Sequence, residues 1–212
     1  MVTIREDFAY AIPPNFSDEE AAPLLCSGII GYRALKRAAL PPGGRLGIYG
    51  FGGSAHLTAQ IAIHLGASVF VMTRSGESQV LARSLGAEYV GGAFDVPPLK
   101  LDSAILFAPV GDLVPIAMRA LDRGGTLAIA GIHLSDIPAI NYADELFYEK
   151  QVRSVTANTR ADGTELLTLA ADMPLIPTTT AYPFAAADRA LDDLANDRII
   201  GAAVLTVHER ST

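Results

Sequence analysis

The stretch Leu46-Gly47-Ile48-Tyr49-Gly50-Phe51-Gly52-Gly53-Ser54-Ala55 decides the fold. A short apolar run enters a glycine cluster, and a segment of helical period leaves it, with Leu57, Ile61, Ala62 and Leu65 on one stripe up to Gly66. The turn has the form G-x-G-x-x-G/A, with Ala55 in the last place. Gly50 permits the tight turn, Gly52 lets a pyrophosphate approach the backbone, and a small residue at 55 lets helix and strand pack closely. The helix start then offers unpaired N–H groups and a positive dipole end to phosphate oxygens. Alone the motif is weak; between a strand and a helix it gains force.

Working outward, Val69-Phe70-Val71-Met72, Ala104-Ile105-Leu106-Phe107 and Leu127-Ala128-Ile129-Ala130 read as further strands buried on both faces. Helical segments alternate with them: residues 54–65, residues 77–85 ending at Gly86, and residues 112–121, opened by an N-cap type Asp112 and stopped by Gly124-Gly125. Tyr89-Val90 and residues 152–156 complete a sheet of about six strands. The fold class is therefore α/β, a doubly wound parallel sheet. The ends read differently. Residues 1–14 are strand-like up to Pro13-Pro14, and Ser17-Asp18-Glu19-Glu20 is a capping box opening a helical region that Pro23 divides. Beyond a helix that Asp162 would cap come a strand at 178–182, a helix at 186–196 and a strand at 202–207. The expected division is 1–27, 28–172 for the dinucleotide-binding domain, and 173–212, with both flanks as parts of a second domain.

Cofactor preference is written about 20 residues past the loop, where an Asp or Glu would accept both ribose hydroxyls. This chain has Thr73-Arg74-Ser75 there. A guanidinium between two hydroxyls suits an oxyanion, so the reading is NADP(H). Composition narrows the partners. The net charge is −7 with no basic cluster, which excludes nucleic acid. The apolar run at 21–35 is broken by Pro23 and is too short for a bilayer, and the acidic start is no secretory leader. The single cysteine, Cys26, forms no internal disulfide, and a cytoplasmic location is expected.

The run Ala22-Pro23-Leu24-Leu25-Cys26-Ser27-Gly28, then Leu40-Pro41-Pro42-Gly43-Gly44, the glycine loop with His56, Gln60-Ile61-Ala62 and Leu65-Gly66-Ala67 together resemble the zinc-dependent medium-chain alcohol dehydrogenases. Leu85-Gly86-Ala87, Gly124-Gly125-Thr126 and Gly201-Ala202-Ala203-Val204-Leu205 extend the likeness over the chain. The resemblance implies a Rossmann cofactor domain with remnants of a GroES-like domain at both ends, the N-terminal catalytic half being absent. It implies hydride transfer between a nicotinamide and an alcohol, aldehyde or ketone, and a homo-oligomer, dimer or tetramer. Cys26 would be the third catalytic zinc ligand, in an incomplete site, since such a zinc needs three protein ligands. Gly50, Gly52, Gly53 and Ala55 would line the pyrophosphate, Thr73 and Arg74 the adenosine ribose, and Pro109 and Gly131 the nicotinamide end. No catalytic residue is expected within these residues, and zinc only with the missing half. Two alternatives stand beside this: a non-catalytic nucleotide-binding module, and a member of the zinc-free, quinone-reductase-like branch.

Other signals are decoys. Tyr32-Arg33-Ala34-Leu35-Lys36 spells a Tyr-x-x-x-Lys pair but precedes the glycine loop; Tyr32 reads as packing and Lys36 as solvated. Gly52-Gly53-Ser54-Ala55-His56 echoes a nucleophile elbow, with His56 where glycine is needed and His208 as a distant triad partner. His56, His64, His133 and His208 show no metal-ligand spacing and read as surface, helix-start or packing residues.

Overall fold

The computed structural model describes residues 3–207. After a 3-10 turn at Glu6–Phe8, α1 spans Asp18–Ala21, a π-helical turn spans Leu24–Gly28, and α2 spans Ile29–Ala38. Then follow β1 Arg45–Tyr49, α3 Gly53–His64, β2 Ser68–Met72, α4 Gly76–Ser84, β3 Tyr89–Gly91, β4 Leu101–Leu106, α5 Leu113–Ala120 and β5 Leu121–Ile129. A further π-helical turn at Tyr142–Leu146 leads to β6 Gln151–Ser154 and α6 Arg160–Asp172. The chain ends in β7 Thr179–Pro183, α7 Ala187–Ala195 and β8 Ala202–Thr206.

Six strands form one parallel sheet in the order β3-β2-β1-β4-β5-β6. This is the Rossmann arrangement, with strand order reversing between β1 and β4. Because side chains alternate along a strand, each of the four inner strands serves two cores. Leu46, Ile48, Val69, Val71, Ile105 and Ala128 face α2, α3 and α6. Tyr49, Phe70, Met72, Ala104, Leu106 and Leu127 face α5. Hence the near-continuous apolar runs. β7 and β8 pair in parallel as a separate two-stranded sheet crossed by α7.

Several local expectations are corrected. Residues 3–14 contain no strand: Arg160 donates to the carbonyls of Asp7 and Ala9 and lies over the Tyr10 ring, so no neighbouring strand is at hand. Asp112 is itself helical and makes no side-chain cap. α5 ends at Ala120, short of Gly124-Gly125, because Leu121 turns extended and pairs with Leu101. The cap of α6 is Thr159, with Asp162 completing a capping box from the third helical position. Lys36 is more than solvated: its ammonium bridges Asp162 (3.0 Å) and Glu165 (2.8 Å), and the Tyr32 hydroxyl donates to Glu165.

Asp162 is fully buried yet charged, accepting from the Thr159 N–H (2.7 Å) and hydroxyl (2.8 Å). Burial pushes its carboxyl up, but these bonds and Lys36 outweigh burial and hold it below the usual range. Its contribution is therefore present above the ordinary aspartate value and is lost as pH falls through the lowered one. Asp162→Ala is expected to cost about 2–3 kcal/mol in urea unfolding at pH 7, less than a fully enclosed pair because Lys36 is part-exposed. The difference from the parent should shrink as pH drops below about 4.

Candidate dinucleotide site

The site grows from the end of β1. The Tyr49 carbonyl accepts from the N–H groups of both Phe107 (2.9 Å) and Ala108 (3.1 Å), while the Gly50 N–H donates to Met72 (2.8 Å). The three central strands are thus tied together at their carboxyl ends, where the order reverses. Gly50 has φ +84°, and a Cβ on it would lie 2.8 Å from the Ala108 nitrogen. Only glycine makes this turn without displacing backbone. Above Gly52 the situation is opposite: a Cβ there would meet nothing within 4 Å.

Gly52 is the N-cap of α3 and provides no side-chain cap. The first-turn amides of Gly53, Ser54 and Ala55 have no intrahelical acceptor, since helix bonding starts with the fourth N–H. That bond, from His56 N to Gly52 O, is 3.1 Å. Ala55 is fully buried beneath the turn, as close strand–helix packing requires. The uncapped amides of Gly53 and Ser54, at a dipole's positive end beside the open space at Gly52, are groups that can donate to an anion.

Thr73 and Arg74 lie at the mouth of β2. Thr73 is buried, its N–H on Gly91 O and its carbonyl held by Gln79. Arg74 is exposed, and its guanidinium pairs with Asp197. Ser75 caps α4, its hydroxyl oxygen accepting from Ser78 N. The clamp read from Thr73-Arg74-Ser75 is thus engaged within the chain. Pro109 and Gly131 follow β4 and β5. Ser135 links their loops, its hydroxyl accepting from Gly111 N (2.8 Å) and its own N–H donating to Pro109 O (3.4 Å). Ile132, 90% exposed, projects from the same loop, and His133 is exposed beside it.

Cys26 is an exposed thiol on the π-helical turn, beside Ser27, whose hydroxyl lies 3.0 Å from where a Gly53 Cβ would be. Among the described residues no three His, Cys, Asp or Glu side chains gather to hold a metal, so these residues do not by themselves fit a catalytic zinc. Two apolar grooves of about 270 and 320 Å³ lie elsewhere, one beside Tyr10, Ala21 and Leu167, the other beside Leu35, Leu40 and Ala62. Neither touches the glycine loop, which is an open rim. No described helix is long and apolar enough to cross a membrane.

The residue that motif reading undervalued is His56. Its ring is buried, with Nδ1 3.3 Å from the Gly52 carbonyl and Nε2 accepting from Thr178 N at 3.0 Å. One turn on, Gln60 accepts from Ile176 N (2.9 Å) and donates to Ile176 O (3.0 Å). Together they fasten residues 176–178 to the glycine-loop helix. The signal was present: His56 and Gln60 are bulky polar residues four apart on a helix that also carries Leu57, Ile61 and Ala62. With both ring nitrogens committed to backbone, His56 is a packing and positioning residue; His208, the distant partner an elbow would need, lies outside the described residues.

No family model matches the chain. It is 59% identical over 205 residues to a probable alcohol dehydrogenase of Mycobacterium tuberculosis, covering 97% of this chain and 59% of that protein. It is 30% identical over 211 residues to an alcohol dehydrogenase of Geobacillus stearothermophilus, covering 96% and 62%. The chain therefore spans about three-fifths of the length of these relatives. Its fold superposes with a TM-score of 0.81 on the NADP(H) complex of CAD from Helicobacter pylori, at 22% identity, over 94% of this chain and 58% of that one.

Burial is the main influence on His56 and pushes its pKa down, against the pull of its bonds to the loop carbonyls. Neutral in the fold, it contributes fully above the ordinary histidine value of about 6.5, and stability falls as pH drops from there through the lowered value. Hydrogen exchange should report protection of the Thr178 amide falling over that window. In His56→Ala, at an expected cost of about 2 kcal/mol, protection should be low and insensitive to pH.

Proposed function

We propose, from the premise that the chain belongs to the alcohol dehydrogenase family, that it forms the NADP(H)-binding part of an oxidoreductase acting on an alcohol and its aldehyde or ketone. The observation that carries this is the uncapped start of α3 under open space at Gly52. A diphosphate fits there because its oxygens can accept from the amides of Gly53 and Ser54 while Gly52 offers no Cβ to obstruct it. Arg74, standing where an acidic residue would select a free 2′-hydroxyl, supports the phosphorylated cofactor. The NADP(H) bound by the Helicobacter pylori protein agrees with this reading.

When bound, the nicotinamide supplies the hydride donor or acceptor. This chain's residues bind and orient it: the glycine loop holds the pyrophosphate, Thr73 and Arg74 face the ribose, and the loops carrying Pro109 and Gly131 border the nicotinamide end. We place residues 28–172 in the cofactor domain, with 1–27 and 173–212 on the substrate side. Cys26 offers one thiolate toward a zinc site, which needs two more protein ligands. The single cysteine is in keeping with a cytoplasmic setting, which this reading adopts. The reading includes a homo-oligomer, to which β6, an edge strand whose Val152 is exposed, offers pairing groups.

Titration with NADPH and NADH, followed by nucleotide fluorescence, tests this. Gly52→Val, entering open space from an extended backbone, should leave the thermal midpoint within about 2 °C but weaken both nucleotides at least about tenfold. Arg74→Asp should weaken NADPH about tenfold or more and improve NADH. Unchanged binding in Gly52→Val refutes the cradle; equal changes for both nucleotides in Arg74→Asp refute the NADP(H) preference.

A further inference from the structure

The Arg74 guanidinium already has an anion. It pairs with the Asp197 carboxylate, which arrives from the far end of the chain, in the turn between α7 and β8. Asp197 adopts a left-handed backbone, φ +56°, with its N–H on the Leu194 carbonyl (3.3 Å). The adjacent cation does not compensate it, because Arg198 is spent on Asp192 and Asp193. This turn belongs to the segment fastened over the glycine loop: His56 and Gln60 hold residues 176–178, Ala202 N donates to Thr178 O (2.9 Å), and the Gly201 carbonyl lies 3.0 Å from where a Gly53 Cβ would be. Asp197 is thus set at the ribose end of the candidate site by the same ties that close the site's edge.

We propose that Asp197 is a specificity-determining residue, an internal carboxylate that occupies Arg74 and competes with a ribose 2′-phosphate for it. The inference rests on the reading of Arg74 as the phosphate's partner. A phosphate brings close to two negative charges and three acceptor oxygens against one carboxylate charge, so it displaces Asp197 rather than being excluded. Displacement still costs the ion pair. Both groups are largely exposed, so the cost is small, a weakening of about two- to fivefold. A dinucleotide with a free 2′-hydroxyl makes no demand on Arg74 and escapes this cost. Asp197 therefore narrows the gap between NADPH and NADH, and does so from an element outside the parallel sheet.

The test is titration of the full chain with NADPH and with NADH for Asp197→Asn, Arg74→Ala and the double variant. Asparagine keeps the shape and tolerates left-handed backbone, so the turn is preserved. Asp197→Asn should tighten NADPH about two- to fivefold and NADH by less than about 1.5-fold, and the gain should vanish in the Arg74→Ala background. Equal tightening of both nucleotides, a gain that survives loss of Arg74, or no gain at all while Arg74→Ala still weakens NADPH, overturns the competition and leaves the Arg74 reading intact. If Arg74→Ala leaves NADPH affinity unchanged, that reading falls and the role of Asp197 falls with it.

Discussion

A backbone nitrogen 2.8 Å from the place a side chain would occupy at Gly50 is the constraint on which the site depends. β1 and β4 are held so close at their carboxyl ends that the chain leaving Tyr49 must turn with positive φ and no Cβ. That turn sends α3 back over the sheet face shared with α2 and α6, with its start at the carboxyl ends of the strands. The open space at Gly52 follows, and so does burial of Ala55, since a helix starting this near the strand leaves room for nothing larger. The sheet's alternating cores, one packed by α2, α3 and α6 and the other by α5, hold the three central strands in the register that the turn requires.

The second organising contact is between α3 and the returning chain. His56 and Gln60 spend their polar groups on backbone at 176–178, so the site is bordered by residues more than a hundred positions from the glycine loop. This explains polar side chains inside an apolar helix, and it delivers Gly201 and Asp197 to the rim. Fixing that border with neutral, buried groups rather than surface ion pairs makes it insensitive to salt but sensitive to acid.

Much of this was legible in the sequence because the signals are local. Apolar runs of strand length, helical periods and glycine stops report the six-stranded order of elements, and the glycine loop reports the strand-to-helix turn on which the proposed site is built. What escaped depends on tertiary partners. Thr159 and Asp162 both suit a cap, and only the helix start shows which one serves. Residues 3–14 have strand-like composition, but Arg160 takes their carbonyls. Lys36 reads as solvated until α6 brings Asp162 and Glu165 beside it. The Arg74–Asp197 pair joins positions 123 apart and has no signature in either neighbourhood.

In the proposed function the first-turn amides of α3 receive a dinucleotide's phosphates. The most direct measurement is an amide-resolved magnetic resonance titration of the chain with NADPH. Saturable shifts centred on Gly53, Ser54 and Ala55, with smaller ones at Thr73 and Arg74, are the predicted result. Saturable binding that leaves those three amides unmoved, or no binding at millimolar nucleotide, would contradict it.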